Sequence, residues 1–450
     1  MREDINEKCA VVGVYNHPDA ANLAYYSLFS MQHRGQEAAG ITSSNGKKLI
    51  TIKDRGLVSQ VFDSQKLETL KGDVAIGHTR YSTAGDDSIL DAQPVYARYE
   101  LGEMAIAHNG NFTNAQEVRN DLIKRGAIFQ TFMDTENLIH LIAKSEKKDL
   151  IERIIDGIGK VKGAYSLIFT DHTTMFAARD PHGFRPLSLG RVGENGYVVA
   201  SETCAFDLIG AKFVRDIRPG ELLIFEDKKP PRSIQLEEPT PHHCIFEYVY
   251  FARPDSTIFG ENGYLVRKRM GEELAKEKPV EADMVIPVPD SGLPSALGYS
   301  QSSGIPFELG ITRNHYVGRT FIEPTQKIRN LKVKMKLNPI KELISGKRLI
   351  VIDDSIVRGT TSRQIIRMLK EAGAAEVHMR ISSPPTTDPC YYGIDTPEKS
   401  ELIGSNLNVD AICEYIEADS LAYLSIDGLE RSVPSNLTYC KACFDGNYIV

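Results

Sequence analysis

The sequence predicts a mixed α/β and α+β fold, with stacked antiparallel sheets between helices in the first half and a mostly parallel sheet in the second. Two patterns lead to this prediction. Short apolar strands with few helices between them fill residues 9 to about 228, whereas strand, loop and helix alternate from about residue 255. Four prolines and mixed charge between Asp227 and Pro241 predict a crossing segment between the two patterns.

The composition is that of a globular protein. At 450 residues the chain has room for two or three domains, with 42% hydrophobic and 25% charged residues. A net charge of −7 without a basic block argues against nucleic-acid binding, and no apolar run approaches the roughly 18 residues that span a bilayer. The charged start Met1–Lys8 is not a signal-peptide pattern. We therefore predict a cytoplasmic protein without a membrane partner.

Apolar periodicity places the individual elements. The first half has predicted strands at Val11–Tyr15, Val74–His78, Met104–His108, Ser166–Thr170, Val198–Ser201 and Leu222–Phe225. Its predicted helices are Asn22–Met31, Ala115–Arg125, Thr135–Ala143 and Leu150–Ile158. The second half has predicted strands at Met284–Val288, Phe307–Ile311, Leu349–Ile352 and Glu376–Ser382, and helices at Leu293–Ser300 and Arg363–Glu371. Alternation in the second half implies parallel strands, whose carboxyl ends hold ligands.

The end of the strand Leu349–Ile352 carries a pattern typical of a sugar-phosphate site. Two carboxylates stop the strand, a loop of small and hydroxyl residues follows, and then a helix begins. Loop amides and the helix N-terminus take a phosphate, and the carboxylates take ribose hydroxyls or a metal-bound diphosphate. An ordinary strand-to-helix turn with solvated aspartates is the alternative. The stretch closely resembles the phosphoribosyl pyrophosphate (PRPP) loop of type I phosphoribosyltransferases, which implies PRPP contacts from Asp353, Asp354, Ser355, Arg358, Gly359, Thr360 and Thr361.

A second turn, Pro289-Asp-Ser-Gly292, falls at the same predicted edge of the sheet. It would line the pyrophosphate side of the pocket, and a simple type I or II turn is the alternative. The resemblance implies Mg²⁺ held by Ser291, Asp353 and Asp354. The basic stretch 313–334 predicts a lid that closes over the anion, with a solvated face as the alternative. Its candidate anion contacts are Arg319, Lys327, Arg329 and Lys334.

Cys9 stands directly before the first predicted strand, and alone it indicates a small buried hydrophobe. Polar clusters at other element ends change this interpretation. A thiol attacks a carboxamide to form an oxyanion, to which the Asn109 amide and the Gly110 N–H donate. Arg80 offers a fork for an α-carboxylate, and Asp134 at a helix start can hold an α-ammonium. Together these residue types predict a glutamine site.

Four motifs resemble the glutaminase domain of N-terminal-nucleophile amidotransferases. They are Cys9-Ala-Val-Val-Gly-Val, His33-Arg34-Gly35, His78-Thr79-Arg80-Tyr81-Ser82-Thr83 and His108-Asn109-Gly110-Asn111. The resemblance covers roughly residues 9–230. It implies that residues 1–8 are a propeptide, that Cys9 is the nucleophile with its own α-amino group as base, and that Arg80 and Asp134 bind glutamine. It also implies an oxyanion hole of Asn109 with Gly110. We assign no catalytic role to His33, His78 or His108.

A glutaminase followed by a phosphoribosyltransferase in one chain resembles the glutamine phosphoribosylpyrophosphate amidotransferase family. The resemblance implies that PRPP, glutamine and water give 5-phosphoribosylamine, glutamate and pyrophosphate, the first step of de novo purine synthesis. It also implies internal passage of ammonia, inhibition by purine nucleotides and a homo-oligomer, a tetramer by analogy. A PRPP-sensing regulator without catalysis is one alternative, and intact glutaminase motifs argue against it. A glutaminase with another acceptor is a second, and the PRPP loop argues against that.

The chain has seven cysteines, which in a reducing compartment favour catalysis or metal binding over disulfides. Cys440-Lys-Ala-Cys443 forms the C-x-x-C pair, and Cys204 and Cys413 are expected to be buried bystanders. Some members of the resembled family carry a [4Fe-4S] cluster together with a propeptide, which implies cluster ligands at Cys244, Cys390, Cys440 and Cys443. Zinc bound by four thiolates is the alternative. The predicted limits are propeptide 1–8, glutaminase 9–235, crossing segment 236–254, phosphoribosyltransferase 255–425 and a cysteine-bearing tail 426–450.

Overall fold

The computed structural model describes residues 9–80, 89–314 and 336–450. The predicted propeptide and the four lid candidates Arg319, Lys327, Arg329 and Lys334 lie outside these ranges, as do Tyr81, Ser82 and Thr83 of the third glutaminase motif. Within the described ranges, no helix combines the length and the apolar character needed to cross a membrane.

Two antiparallel sheets stack face to face in the first half. Their strands are β1 (Ala10–Tyr15), β2 (Ala38–Ser44), β3 (Leu49–Arg55), β4 (Val74–Arg80), β5 (Val95–Tyr99), β6 (Gly102–Phe112), β7 (Gly163–Thr170), β8 (Met175–Arg179), β9 (Ser188–Val192), β10 (Gly196–Ala200), β11 (Lys212–Asp216), β12 (Glu221–Phe225) and β13 (Arg232–Gln235). One sheet runs β11-β9-β10-β1-β4-β2-β3 and the other β13-β12-β8-β7-β6-β5. Side chains from both sheets, among them Val11, Ile76 and Ile168, fill the layer between them.

Helices cover the outer face of each sheet. They are α1 (Ala20–Ser30), α2 (Val58–Val61), α3 (Ser64–Thr69), α4 (Ala115–Lys124), α5 (Asp134–Ala143), α6 (Leu150–Ile158) and α7 (Cys204–Ile209). In α6, Asp149 caps the N-terminus by accepting from the Glu152 N–H at 2.9 Å, and Ile154 and Ile158 face the core. Because both sheets are covered on both faces, central strands such as β1 are continuous apolar runs.

The second half contains a parallel sheet of order β17-β20-β21-β22. The remaining strands are β14 (His243–Cys244), β15 (Thr257–Ile258), β16 (Glu261–Asn262), β17 (Met284–Pro287), β18 (Ile311–Arg313), β19 (Leu337–Pro339), β20 (Arg348–Asp353), β21 (Glu376–Ile381), β22 (Ser420–Tyr423) and β23 (Tyr439–Cys440). The remaining helices are α8 (Gly263–Glu277), α9 (Leu293–Ser303), α10 (Lys341–Ile344), α11 (Thr360–Glu371), α12 (Ile403–Asn406), α13 (Val409–Ile416), α14 (Ile426–Ser432) and α15 (Ala442–Asp445). Helices α8 and α9 pack on one face of the sheet, and α11 and α13 on the other.

The crossing segment is exposed over residues 237–241 and becomes buried from His243 to Val249. Its β14 pairs in parallel with β23 near the C-terminus, and a π-helix follows at Glu247–Phe251. Glu247 is fully buried and bonds the Arg34 guanidinium at 2.8 and 2.9 Å. Arg34 also contacts Glu202 at 2.6 Å and donates from Nε to the Cys9 carbonyl at 3.2 Å. A buried ion network therefore ties the backbone of Cys9 to the crossing segment.

The architecture confirms the predicted class of fold, and the predicted elements match it with one correction. Phe307–Ile311 does not form a strand of the parallel sheet. Phe307 makes a single bridge to Val285, and Ile311–Arg313 belongs to an antiparallel pair with β19. The apolar run was too short to fix its partner. Strands β2 and β3 were not predicted. Small residues in β2 and charged residues in β3 weaken the alternation of apolar and polar side chains that indicates a strand. The predicted domain limits stay predictions.

Candidate active sites

A cavity of about 210 Å³ lies behind Cys9 in the first half. The strand register explains how its walls meet: β1 pairs with β4, so Cys9 lies beside the end of β4, which carries Arg80. From the second sheet, β6 brings Gly110 to the same place. The cavity is lined by Cys9, Arg80, Gln93, His108, Gly110, Asn111, Ala115, Gln116, Arg119, Phe132, Met133, Asp134, Asn137 and Gly393.

Asn109 and Gly110, near the end of strand β6, have the features of an oxyanion hole. The Asn109 side chain is fully buried, and neither of its amide atoms has a hydrogen-bond partner among the described residues. Gly110 lines the cavity, whereas Asn109 is not among its lining residues. A buried amide without a partner calls for an explanation, and donation to an oxyanion formed beside Gly110 would supply one. Gly110 has φ +150°, and a Cβ there would lie 2.1 Å from the Ala164 carbonyl oxygen. Glycine is therefore required at 110.

Asp134 opens helix α5 and stays ionised inside the cavity wall. Burial by itself would raise its pKa, but His108 at 3.3 Å and the Phe112 N–H at 2.9 Å lower the pKa below its ordinary value. An ionised carboxylate here can pair with an α-ammonium group. His108 stacks on the Phe112 ring at 4.6 Å and holds Asp134 in place. His108 also lines the cavity, and the absence of a catalytic role for it stays a prediction.

Arg80 ends β4 with its guanidinium facing the same cavity. Its Nη2 lies 3.8 Å from a carboxylate oxygen of Asp91, which is buried. At that distance the pair is an ion pair without a direct hydrogen bond. The guanidinium of Arg80 is thus held at the cavity, where it could pair with a ligand carboxylate.

The second site lies at the carboxyl edge of the parallel sheet. β17 and β20 are neighbours in register, with Pro287 opposite Ile352, so the turns that follow them meet. Ser291 Oγ donates to Asp353 at 3.3 Å, and the Asp354 N–H donates to the same Asp353 oxygen at 2.9 Å. Burial, together with the charge of Asp354, raises the pKa of Asp353 well above its ordinary value. Burial raises the pKa of Asp354 to about 6.

Beyond these carboxyls, the loop leads into the N-terminus of helix α11. Gly359 has φ +75°, which glycine adopts readily, and α11 begins at Thr360, with Thr361 in its first turn. Arg358 donates to Glu401 at 3.0 Å, but two other buried nitrogens of its guanidinium have no partner among the described residues. The buried Thr360 hydroxyl is in the same situation. These donors could act as a phosphate cradle at the helix start.

Ser355 precedes this cradle, with its hydroxyl 3.4 Å from Asp354. Arg267 of α8 is a further residue of this site that sequence reasoning missed. It is buried, donates to the carbonyls of Tyr248 and Ala252 at 2.7 Å each, and its charge lowers the pKa of Asp354 against the effect of burial. No local pattern marks it, because an arginine within a helix ordinarily faces solvent.

Comparison with known proteins decides the family. A glutamine amidotransferase domain model matches residues 78–207, and a phosphoribosyl transferase domain model matches residues 262–383. The chloroplastic amidophosphoribosyltransferase 2 of Arabidopsis thaliana is 50% identical over 450 residues, which is 100% of this chain and 80% of the relative. The chain belongs to the amidophosphoribosyltransferase family.

Bacterial members of the amidophosphoribosyltransferase family are similar to this chain over nearly its whole length. The protein of Bacillus subtilis strain 168 is 48% identical over 453 residues, covering 99% of this chain and 94% of its own. A solved structure of glutamine PRPP amidotransferase from B. subtilis, complexed with ADP and GMP, is 47% identical with a TM-score of 0.93, covering 98% of this chain and 97% of that one. Membership confirms the predicted enzyme class, and nothing supports the regulator alternative.

The cysteines expected to bind a cluster in this family converge at the domain boundary. Cys244 and Cys440 are register partners between β14 and β23, and Cys443 follows in α15. Burial, and then the charges of neighbouring cysteines, raises the pKa of both Cys440 and Cys443, and Cys390 contributes to each shift. Thiols placed together in this way could bind a metal centre, which would require them to lose their protons.

The cysteines near the domain boundary are not arranged as a site for a single metal ion. Among the described residues, no group of three or more histidine, cysteine, aspartate or glutamate side chains is arranged to hold one metal ion. Cys204 and Cys413 lie elsewhere, and burial raises the pKa of both thiols, for Cys204 to about 12. Cys204 is buried, as predicted, whereas Cys413 is only partly buried, which corrects the prediction for that residue. All cysteines fall within the described ranges, and none of them forms a disulfide.

Proposed function

We propose that each half of this enzyme carries one part of the glutamine-dependent amination of PRPP, which gives 5-phosphoribosylamine, glutamate and pyrophosphate. The observation that best supports this division is the buried Asn109 amide, which has no hydrogen-bond partner among the described residues and precedes Gly110 at the Cys9 cavity. Because Gly110 lines the cavity beside Cys9, its N–H and the neighbouring Asn109 amide are the donors we assign to an oxyanion formed there.

In the glutaminase half, the Cys9 sulfur attacks the side-chain carbonyl carbon of glutamine. The thiol proton passes to the Cys9 α-amino group, a C–S bond forms and the carbonyl electrons move onto oxygen, where the Asn109 amide and the Gly110 N–H stabilise the charge. The C–N bond then breaks, ammonia leaves with a proton from the Cys9 α-amino group, and water hydrolyses the thioester to glutamate. Arg80 and Asp134 hold the α-carboxylate and α-ammonium of the substrate.

In the transferase half, ammonia attacks the ribose C1 of PRPP as the C–O bond to pyrophosphate breaks, and the nitrogen then gives up a proton. Arg358, Thr360 and the first N–H groups of α11 bind the phosphate. Asp353, Asp354 and Ser291 would hold Mg²⁺, because that ion binds through one or two carboxylates plus substrate phosphates. When bound, Mg²⁺ neutralises charge on the departing diphosphate.

A coupled assay tests the whole proposal. With PRPP and Mg²⁺ present, we expect glutamine to yield glutamate and pyrophosphate in equal amounts. Omitting glutamine should stop pyrophosphate release, and ammonium salts should restore it. Release of glutamate without any pyrophosphate would instead indicate a glutaminase that serves another acceptor.

Four further properties belong to the proposal. Residues 1–8 are a propeptide that must be cleaved, since Cys9 has no α-amino group while its bond to Lys8 is intact. The compartment is the cytoplasm, which the absence of disulfides among the described cysteines supports. Purine nucleotides inhibit the enzyme, which a B. subtilis structure complexed with ADP and GMP supports. The enzyme forms a homo-oligomer, a tetramer by family analogy.

A [4Fe-4S] cluster held by Cys244, Cys390, Cys440 and Cys443 is the proposed metal centre. It would tie the crossing segment, the transferase half and the tail together, and its binding would add to folding stability. Neither reaction transfers electrons, so the cluster has no role in the chemistry. Zinc on the same thiolates is the alternative.

Metal analysis of anaerobically purified protein checks this centre. We expect about four irons with matching sulfide per chain and a brown colour that fades with activity in air. Cys440→Ser should give colourless protein that is poorly soluble or rapidly degraded, whereas Cys413→Ser, the control, should keep both iron and solubility. About one zinc per chain would change the metal and keep the site. Active protein without either metal would refute the centre.

A further inference from the structure

We infer that the loop Cys390–Gly393, contributed by the transferase half, forms one wall of the glutamine cavity and that Gly393 positions the oxyanion donor Gly110. The loop lies outside the matched amidotransferase domain, which spans residues 78–207. Gly393 nevertheless lines the cavity together with Cys9 and Gly110. The inference rests on the proposed role of Asn109 and Gly110 as the oxyanion hole.

Gly393 of this loop packs directly against Gly110 near the end of strand β6. A Cβ added at Gly393 would lie 2.9 Å from both the Cα and the carbonyl carbon of Gly110, and 3.1 Å from its oxygen. These are backbone atoms, which cannot turn aside as a side chain can. Next to this contact, Asn111 Nδ2 donates to the Tyr391 carbonyl at 2.9 Å. The loop thus restrains both Gly110 and Asn111, the two residues joined by the peptide bond that follows Gly110.

The back of the loop is anchored and has no room to retreat. The Tyr392 ring stacks on Phe184 at 4.2 Å. Its hydroxyl accepts from the Ile449 N–H at 2.6 Å and the Val450 N–H at 2.9 Å. The Cys390 N–H donates to Thr396 Oγ1 at 2.6 Å. An added methyl group at Gly393 must therefore displace Gly110 rather than the loop.

Gly110 itself is pressed from the other side. A Cβ at Gly110 would lie 2.1 Å from the Ala164 carbonyl oxygen. The backbone of Gly110 is therefore packed closely between β7 and the loop. The direction of the Gly110 N–H is consequently set by a segment about 280 residues away in sequence, as the span from Asn111 to Tyr391 shows. Oxyanion stabilisation depends on the donor meeting oxygen at about 2.7–3.1 Å, so a small displacement weakens the transition state selectively.

Gly393→Ala tests this role. We expect the glutamine-dependent kcat to fall by about 10- to 100-fold with little change in KM, because one misplaced oxyanion donor affects the transition state and not substrate binding. Synthesis from ammonia should stay within about twofold. A glutamine-derived aldehyde, which forms a tetrahedral adduct with a thiol, should bind about 10-fold more weakly or worse, while binding of glutamate is unchanged.

Gly304→Ala is the matched control, because Gly304 has φ +74° with nothing within 4 Å of its added Cβ, against φ +98° at Gly393. It carries the backbone strain without the contact and should keep wild-type kinetics. If Gly393→Ala does not fold, Asn111→Ala removes the tie to Tyr391 without adding atoms, and it should weaken aldehyde binding by about threefold or more.

The outcomes separate this inference from the proposed function. Wild-type aldehyde affinity in Gly393→Ala, or in Asn111→Ala when that variant replaces it, would overturn the inference. Equal weakening of aldehyde and glutamate would also overturn it, since the loop would then act on ground-state binding. Equal loss of the glutamine and ammonia activities would reduce the loop to a structural element. If the aldehyde forms no adduct with the wild-type protein, it is the glutaminase assignment of Cys9 that fails.

Discussion

Cys9→Ala is expected to abolish glutamine-dependent synthesis while leaving synthesis from ammonia intact. The substitution removes the only atom that forms a bond to glutamine, so kcat with glutamine should fall by at least about 10⁴-fold. The transferase site is built from other strands, so the ammonia-dependent rate should stay within about twofold. Steady-state rates of pyrophosphate release with each nitrogen donor give both numbers.

Cys413→Ala provides the control, because Cys413 is a half-buried thiol of α13 that lies in the transferase half. It should behave as wild type with both donors. Equal loss of both activities in Cys9→Ala would contradict the two-site assignment. Intact-mass measurement belongs to the same experiment: active wild-type protein should begin at Cys9. Full activity in a chain that still carries residues 1–8 would mean that a group other than the α-amine is the base.

Asp353→Asn and Asp354→Asn are each expected to impair the transferase reaction. Each change keeps the shape of the side chain and removes one charge that faces the ribose or its metal-bound diphosphate. Loss of one charge-assisted contact costs about 1.5–3 kcal/mol, so kcat/KM for PRPP should fall by roughly tenfold or more. The measurement uses ammonia as the nitrogen donor, which excludes effects on the glutaminase. Wild-type kinetics in both variants would refute the assignment.

The same two variants should be more stable than wild type at alkaline pH when Mg²⁺ and PRPP are absent. Burial raises the pKa of both carboxyls above the value of about 3.9 in an unfolded chain, for Asp354 to about 6. A raised carboxyl pKa contributes stability below the unfolded pKa and loses it as pH rises through the folded pKa. Asparagine carries no charge to repel its neighbour, so the melting-temperature gain should grow from about pH 5 to pH 8.

Asp121→Asn is the control for this stability effect, because the Asp121 side chain is 62% exposed and pairs with Arg125 at the surface. Its melting temperature should follow wild type at every pH. Addition of Mg²⁺ with PRPP should reverse the order, since only the wild-type pair gains from the cation. A melting temperature at alkaline pH no higher than wild type in either asparagine variant would show that the pair is not destabilising.

Local sequence determined those parts of the two sites whose residues are adjacent in the chain. Asp353 ends a strand with Asp354 directly after it, and Gly359 precedes a helix. The strand–loop–helix pattern is therefore sufficient to predict that they lie in one pocket. Asn109 and Gly110 are neighbours for the same reason. In each case backbone geometry alone fixes the distance between the functional groups, and that geometry is readable from residue type.

Tertiary packing decided everything that depends on distant segments. Gly393 reaches Gly110, Arg34 reaches Glu247, and Cys244 meets Cys440 across separations that no periodicity records. Nothing in the local sequence distinguishes Arg267 from other helix residues, but the fold buries it near Asp354. Contacts of this kind depend on how whole sheets and helices stack, and many sequences satisfy the same local pattern. The sequence therefore determined the chemistry of each half, whereas the folded structure decided which residues of one half complete the site of the other.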